Sequence, residues 1–166
     1  LIVTAGEDAT VRTWDAQTGE ARRTLDGFTG PVNIAVIGPN RARILTWSYD
    51  DTRAYSLAPS GTVGVWDVST GSLLMEFATR DKPIKWLDFS PDDRYAMALD
   101  SSGVARIWEL DQRREVLRLQ LDPADWAMFS ADSTSVLSGS QLAGAGHPIQ
   151  IWQVPEQARV SYRGHN

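Results

Sequence analysis

Apolar and polar side chains alternate in short runs along this chain, and one run keeps returning. Thr10-Val-Arg-Thr-Trp14-Asp15 recurs as Thr62-Val-Gly-Val-Trp66-Asp67, as Val104-Ala-Arg-Ile-Trp108-Glu109 and as Pro148-Ile-Gln-Ile-Trp152-Gln153. A two-residue period is the signature of a β-strand. The Trp-to-Trp spacings are 52, 42 and 44 residues. After the first two copies come Thr18-Gly19 and Thr70-Gly71, then Glu20 to Leu25 and Leu73 to Phe77. Glycine accepts positive φ at little steric cost, so each copy reads strand, hairpin turn, strand. The third copy puts Asp111-Gln-Arg-Arg in place of the turn, and the fourth Pro155-Glu-Gln.

Two more strands precede each Trp from the second copy on. They are Val32 to Ile37 and Ala42 to Ser48, then Ile84 to Phe89 and Arg94 to Leu99, then Asp125 to Phe129 and Thr134 to Ser140. Gly38-Pro39-Asn40, Ser90-Pro91-Asp92-Asp93 and Ser130-Ala-Asp-Ser split the pairs. These residue types set turn geometry and do not extend a central strand. Four strands per repeat of roughly 40–45 residues is the sequence signature of a β-propeller blade.

The chain resembles the WD40 family along essentially its whole length. The phrases that carry the resemblance are Leu1-Ile-Val-Thr-Ala-Gly-Glu-Asp-Ala-Thr-Val-Arg-Thr-Trp-Asp, Gly27-Phe-Thr-Gly-Pro-Val, Asp88-Phe-Ser-Pro-Asp-Asp and Arg163-Gly-His165. The resemblance implies an all-β fold, a WD40-type propeller segment of about four blades whose first blade lacks its innermost strand a. It implies units at 1–26, 27–78, 79–121 and 122–163, with 164–166 opening a further repeat. It also implies a hydrogen-bonded set in each blade: a Gly-His pair before strand a, a Ser or Thr in strand b, an Asp in the b–c turn and the Trp ending strand c.

That set maps only in part. The first blade offers Thr4, Asp8 and Trp14. The second offers Thr46, Asp50 and Trp66, with Phe28 where His is expected. In the third, Trp108 remains while Ala98 and Ser102 replace the hydroxyl and the Asp. The fourth keeps Ser138 and Trp152, and His165 holds the one Gly-His position. Each unmade bond is worth only about 1 kcal/mol net, so packing between blades is expected to do most of the locking. The ends lead to the expectation of a segment of a longer propeller. A second copy that completes the ring is the alternative.

Composition narrows the function. A charge of −5 opposes a general grip on nucleic acid, which wants a basic face. No run of about 18 apolar residues is present to span a membrane. The absence of Cys removes disulfides and thiolate metal sites and fits a cytoplasmic origin. Seven Trp is many for this length. Trp86 and Trp126 share one register in strand a and read as packing residues, with partial exposure at the channel mouth as the alternative; Trp47 reads as core.

Catalysis finds little support. His147, in Ala143-Gly-Ala-Gly-His-Pro, and His165 have no repeated carboxylate partner, and the Gly-rich stretch precedes no Lys-Ser/Thr. Asp50-Asp51 and Asp92-Asp93 read as solvated turns. No cofactor or metal is expected.

The second repeat carries ten extra residues at 51–60, and the fourth a smaller insertion within 141–148. Both fall at the b–c corner, so both are expected on one rim, and insertions in repeat proteins often mark the binding face. Tyr49, Arg53, Tyr55 and His147 are the candidate partner-binding residues. The expected function is a non-catalytic scaffold for a protein or peptide partner. A sensor propeller joined to an effector domain and a hydrolase-type propeller are the alternatives.

Overall fold

The computed structural model describes residues 1–49, 61–79, 82–121, 124–140 and 149–154. It is all-β over that range, with fourteen strands in four antiparallel sheets. The first sheet contains β1 (Ile2–Ala5), β2 (Val11–Trp14) and β3 (Ala21–Leu25), in that order. The second is a four-strand meander of β4 (Val32–Ile37), β5 (Arg43–Tyr49), β6 (Gly61–Asp67) and β7 (Leu73–Thr79). The third repeats it with β8 (Ile84–Phe89), β9 (Tyr95–Asp100), β10 (Val104–Glu109) and β11 (Arg114–Gln120). The fourth contains β12 (Trp126–Phe129), β13 (Ser135–Gly139) and β14 (Gln150–Gln153). Its expected outermost strand falls outside the described residues. The first sheet has three strands and so lacks the innermost one, as the resemblance implies.

The four repeat Trp residues lie at the end of β2 and one residue before the ends of the equivalent strands β6, β10 and β14. Register fixes what lies beside each of them: Thr4 pairs with Arg12, Thr46 with Gly64, Ala98 with Arg106 and Ser138 with Gln150.

The sheets stack face to face, and each junction has its own apolar cluster. Val11 and Leu25 meet Ile44 and Trp66 between the first two sheets. Leu45, Trp47 and Val63 meet Leu87, Phe89 and Trp108 between the second and third. Met97, Leu99 and Ile107 meet Phe129 and Val136 between the third and fourth. Strand β9 shows why its sequence is nearly all apolar. Tyr95, Met97 and Leu99 face one neighbour, while Ala96 and Ala98 face the other. A strand buried on both faces loses the polar half of its alternation. Every repeat Trp with a sheet before it turns toward that sheet, and Phe77 stacks on Trp108 with ring centroids 4.5 Å apart.

Two expectations need correction. Trp86 is not a buried packing residue: it is 38% exposed. The ladder between β8 and β9 shifts between Ile84 and Trp86, and this bulge turns both Lys85 and Trp86 outward. Trp126 is half-buried, whereas Trp47 is core as expected. Asp93, read as part of a solvated turn, is only 8% exposed. Its φ of 60° aims the side chain back at the preceding sheet, where a Cβ on Gly38 would lie 2.6 Å from its Oδ1. The same turn position holds Arg41 and Ser133, also at positive φ.

Candidate interaction surface

The repeat Trp and its hydroxyl partner sit on adjacent strands of one sheet, so the bond between them staples the strands. The Trp14 indole N–H donates to Thr4 Oγ1 at 2.9 Å and that of Trp66 to Thr46 Oγ1 at 3.0 Å. The Trp152 N–H reaches Ser138 Oγ at 3.4 Å. In the third sheet the position opposite Arg106 is Ala98, which has no hydroxyl to accept one.

The turn carboxylates follow a second pattern. Asp8 accepts from the amide and hydroxyl of Thr10 and from Arg12 at 2.6 Å. The Thr10 hydroxyl, more than any other group, holds its carboxyl below the ordinary value. The third sheet has Ser102 at the matching distance from its Trp, yet its turn is not without a carboxylate. Asp100, two residues earlier, accepts from the Ser102 amide and hydroxyl and from the Val104 amide. Counting back from Trp108 misses Asp100; its place just before Ser101-Ser102-Gly103 was the available signal. At the opposite corner Asp67 gathers the Ser69 and Thr70 amides and hydroxyls, and the Ser69 hydroxyl leads in lowering its pKa to about 2. Asp132 is lowered to about 2 in the same way, chiefly by the Ser130 hydroxyl.

The starts of β4, β8 and β12 lie beside the ends of β5, β9 and β13, at the rim where the described b–c turns, 6–10 and 101–103, sit. Bonds between sheets hold that rim in place. The Val32 amide donates to the Gly6 carbonyl at 3.1 Å, and Lys85 pairs with Asp125 at 3.3 Å. Deeper in, the Phe129 amide donates to Asp88 Oδ2 at 2.9 Å, and burial raises the pKa of that carboxyl. At the far rim Arg43 donates to the Asp93 carbonyl and the Asp92 amide to Ser133 Oγ.

Of the candidate partner-binding residues, Tyr49 alone lies within the described residues. It ends β5, is half-buried against the cluster between the second and third sheets, and its ring centroid is 6.0 Å from that of Trp47. Arg53, Tyr55 and His147 fall outside the described residues, as do Asp50 and His165. Among the described residues no three His, Asp or Glu side chains gather as metal ligands, and no helix is long and apolar enough to cross a membrane.

No family model matches the chain. Individual proteins do. Apoptotic protease-activating factor 1 of Mus musculus is 27% identical over 171 residues, which cover 97% of this chain and 13% of that protein. Protein LST8 homolog of Drosophila melanogaster is 34% identical over 122 residues, covering 70% of this chain and 36% of that one. Target of rapamycin complex subunit LST8 of Mus musculus is 29% identical over 158 residues, covering 93% of this chain and 44% of that one. The chain therefore spans less than half the length of each of these relatives. They are WD-repeat proteins. Four stacked sheets, a Trp at one place in each, and similarity to WD-repeat proteins over most of the chain together make this chain a segment of about four WD40 repeats, and so a member of the WD40-repeat family.

Proposed function

We propose that this chain is a non-catalytic protein-interaction scaffold whose recognition surface is the rim carrying the b–c turns. The observation that carries the reading is the set of three apolar clusters, one at each junction between sheets. Turns from separate sheets then stand in fixed relation, and a partner meets them with little ordering cost. The murine LST8 relative is named as the subunit of a complex, which supports protein partners in general. Tyr49, Arg53, Tyr55 and His147 are the proposed contacts. Tyr49 is packed against the core, so Arg53, Tyr55 and His147 are the substitutions that separate binding from folding. The units are proposed to run 1–26, 27–78, 79–121 and 122–163.

Met128, Leu137 and Ile151 form one row across the face of the fourth sheet that turns away from the third. Ile151 is 67% exposed and Ile149 62%. The equivalent residues of the third sheet, Met97 and Ile107, are covered by the fourth. Further blades, or a second copy, are proposed to cover this row and close the ring.

The test is quantitative co-purification from source cells with the full chain and with an Arg53→Ala, Tyr55→Ala, His147→Ala variant. Named proteins lost from the variant at unchanged melting temperature support the rim. Identical sets of co-purified proteins overturn it. A second reading, a sensor joined to an effector domain, is favoured by one observation: the stretch similar to murine apoptotic protease-activating factor 1 makes up only 13% of that protein.

A further inference from the structure

Strand c presents one residue, two before each Trp, opposite the hydroxyl position of strand b. In the first sheet it is Arg12, in the third Arg106 and in the fourth Gln150. In the second sheet it is Gly64. The long side chain is therefore absent from one repeat alone. The partner on strand d changes as well: Thr24 stands opposite Arg12 and Arg118 opposite Arg106, but Glu76 stands opposite Gly64. A carboxylate thus appears where the chain's own guanidinium is missing.

The consequence is a cleft. The site around Arg106 in the third sheet leaves about 10 Å³, whereas the one around Gly64 leaves about 50 Å³. At about 10–15 Å³ per water centre, the larger space suits about three to five waters, or the head of one long side chain. Its walls are Phe28, Trp66, Glu76 and the hydroxyl-bearing Thr46, Ser48 and Thr62. Phe28 lies against Trp66 with centroids 4.5 Å apart. The Trp66 N–H is already committed to Thr46 and its ring is covered by Phe28, so the wall offers hydroxyl acceptors, the half-buried Phe28 ring and one exposed carboxylate. Arg23 of the neighbouring sheet donates to the Thr70 carbonyl at 3.1 Å and is absent from the cleft lining. Gly27, Thr29, Ser48 and Thr62 place the upper end of the cleft at the b–c rim.

We propose that this cleft binds an arginine side chain of a protein partner, its guanidinium paired with Glu76 and resting against the half-buried Phe28 ring. A planar guanidinium pairs with a carboxylate through parallel N–H donors and lies on aromatic faces, which an ammonium matches less well. The proposal deepens the scaffold reading and rests on it for the partner's nature.

The test uses the full chain and Nα-acetyl-arginine amide, followed at the Trp66 indole N–H resonance. The expected result is a saturable shift that is about tenfold weaker with the uncharged citrulline amide and weaker with the lysine amide. Glu76→Gln, a surface change, is expected to weaken the arginine amide about tenfold at unchanged melting temperature. No saturable shift, equal binding of citrulline, equal binding of lysine, or full binding by Glu76→Gln each overturns the site. If Glu76→Gln lowers the melting temperature, the same titration on Glu76→Lys replaces it, with loss of binding expected and retained binding overturning the site. Pocket binding lost with partner capture intact removes the cleft alone. Identical sets of co-purified proteins from the Arg53→Ala, Tyr55→Ala, His147→Ala variant, with pocket binding intact, remove the rim reading alone.

Discussion

Single residues in this chain are tuned by what the neighbouring sheet allows them. Asp93 lies in the turn between β8's end and β9's start, and its carboxyl is raised above the ordinary value because burial outweighs the attraction of Arg43. The sign of the pH effect follows from that direction. A raised carboxyl favours its protonated form in the folded state, so its contribution is most favourable below the ordinary value of 3.8 and is lost as pH rises through the folded value. Asp93→Asn keeps a residue that tolerates positive φ and removes the charge. It is expected to raise the melting temperature at pH 7 and to leave it unchanged near pH 3; a lower value at pH 7 contradicts the account. Asp67 and Asp132 behave oppositely. Their values are lowered to about 2, so the stability they bring is present above 3.8 and is lost as pH falls toward 2. At the same scale, Thr46→Val removes the acceptor of the Trp66 N–H and is expected to cost about 1–3 kcal/mol in denaturant melts, since a buried donor is left unpaired.

At the scale of elements, each sheet solves the same corner with different chemistry. The first two close the c–d turn with Gly19 and Gly71 at positive φ, whereas the third uses Arg113 at φ 52°. The residue after the Trp changes with it. Asp15 and Asp67 cap their turns locally, with Arg22 leading in lowering the Asp15 carboxyl. Glu109 is one methylene longer and instead ties β10 to Arg114 of β11 and to Arg94 just before β9. It accepts from Arg94 at 2.7 and 3.0 Å and from Arg114 at 3.4 Å, while only 2% exposed itself. Glu109→Gln leaves the buried end of this network without its charge. The expected cost is about 3 kcal/mol, the low end of the usual range because both arginines reach solvent. Urea unfolding checks it; a loss below about 0.5 kcal/mol contradicts the buried network, because exposed ion pairs sit in that range.

At the scale of the molecule, stability is divided among junctions and not gathered in one centre. Leu45 is fully buried between the second and third sheets. Leu45→Ala is expected to cost about 2–5 kcal/mol by thermal or chemical melting. Val11→Ala belongs to the junction before it, and the two costs are expected to add because the residues share no cluster. A strongly non-additive pair contradicts independent junctions.

The four sheets, their described strands and their order were legible in residue order, because a period of two and a recurring Trp depend on neighbours along the chain. Trp47 as core and the missing innermost strand of the first sheet were legible for the same reason. The hydroxyl opposite each Trp was placed by register, which follows once strands pair. What lies across a junction was not legible. Trp86 is turned outward by a bulge, Asp93 is buried by the preceding sheet, and Asp100 takes the turn in place of Ser102, and none of these follows from spacing. The cleft at Gly64 is of the same kind. The glycine is visible in the sequence, but only strand pairing sets Glu76 opposite it and only sheet stacking brings Phe28 against Trp66. Local periodicity determines the elements; contacts between residues far apart in sequence decide which side chains face solvent, because burial is a property of the neighbour and not of the residue.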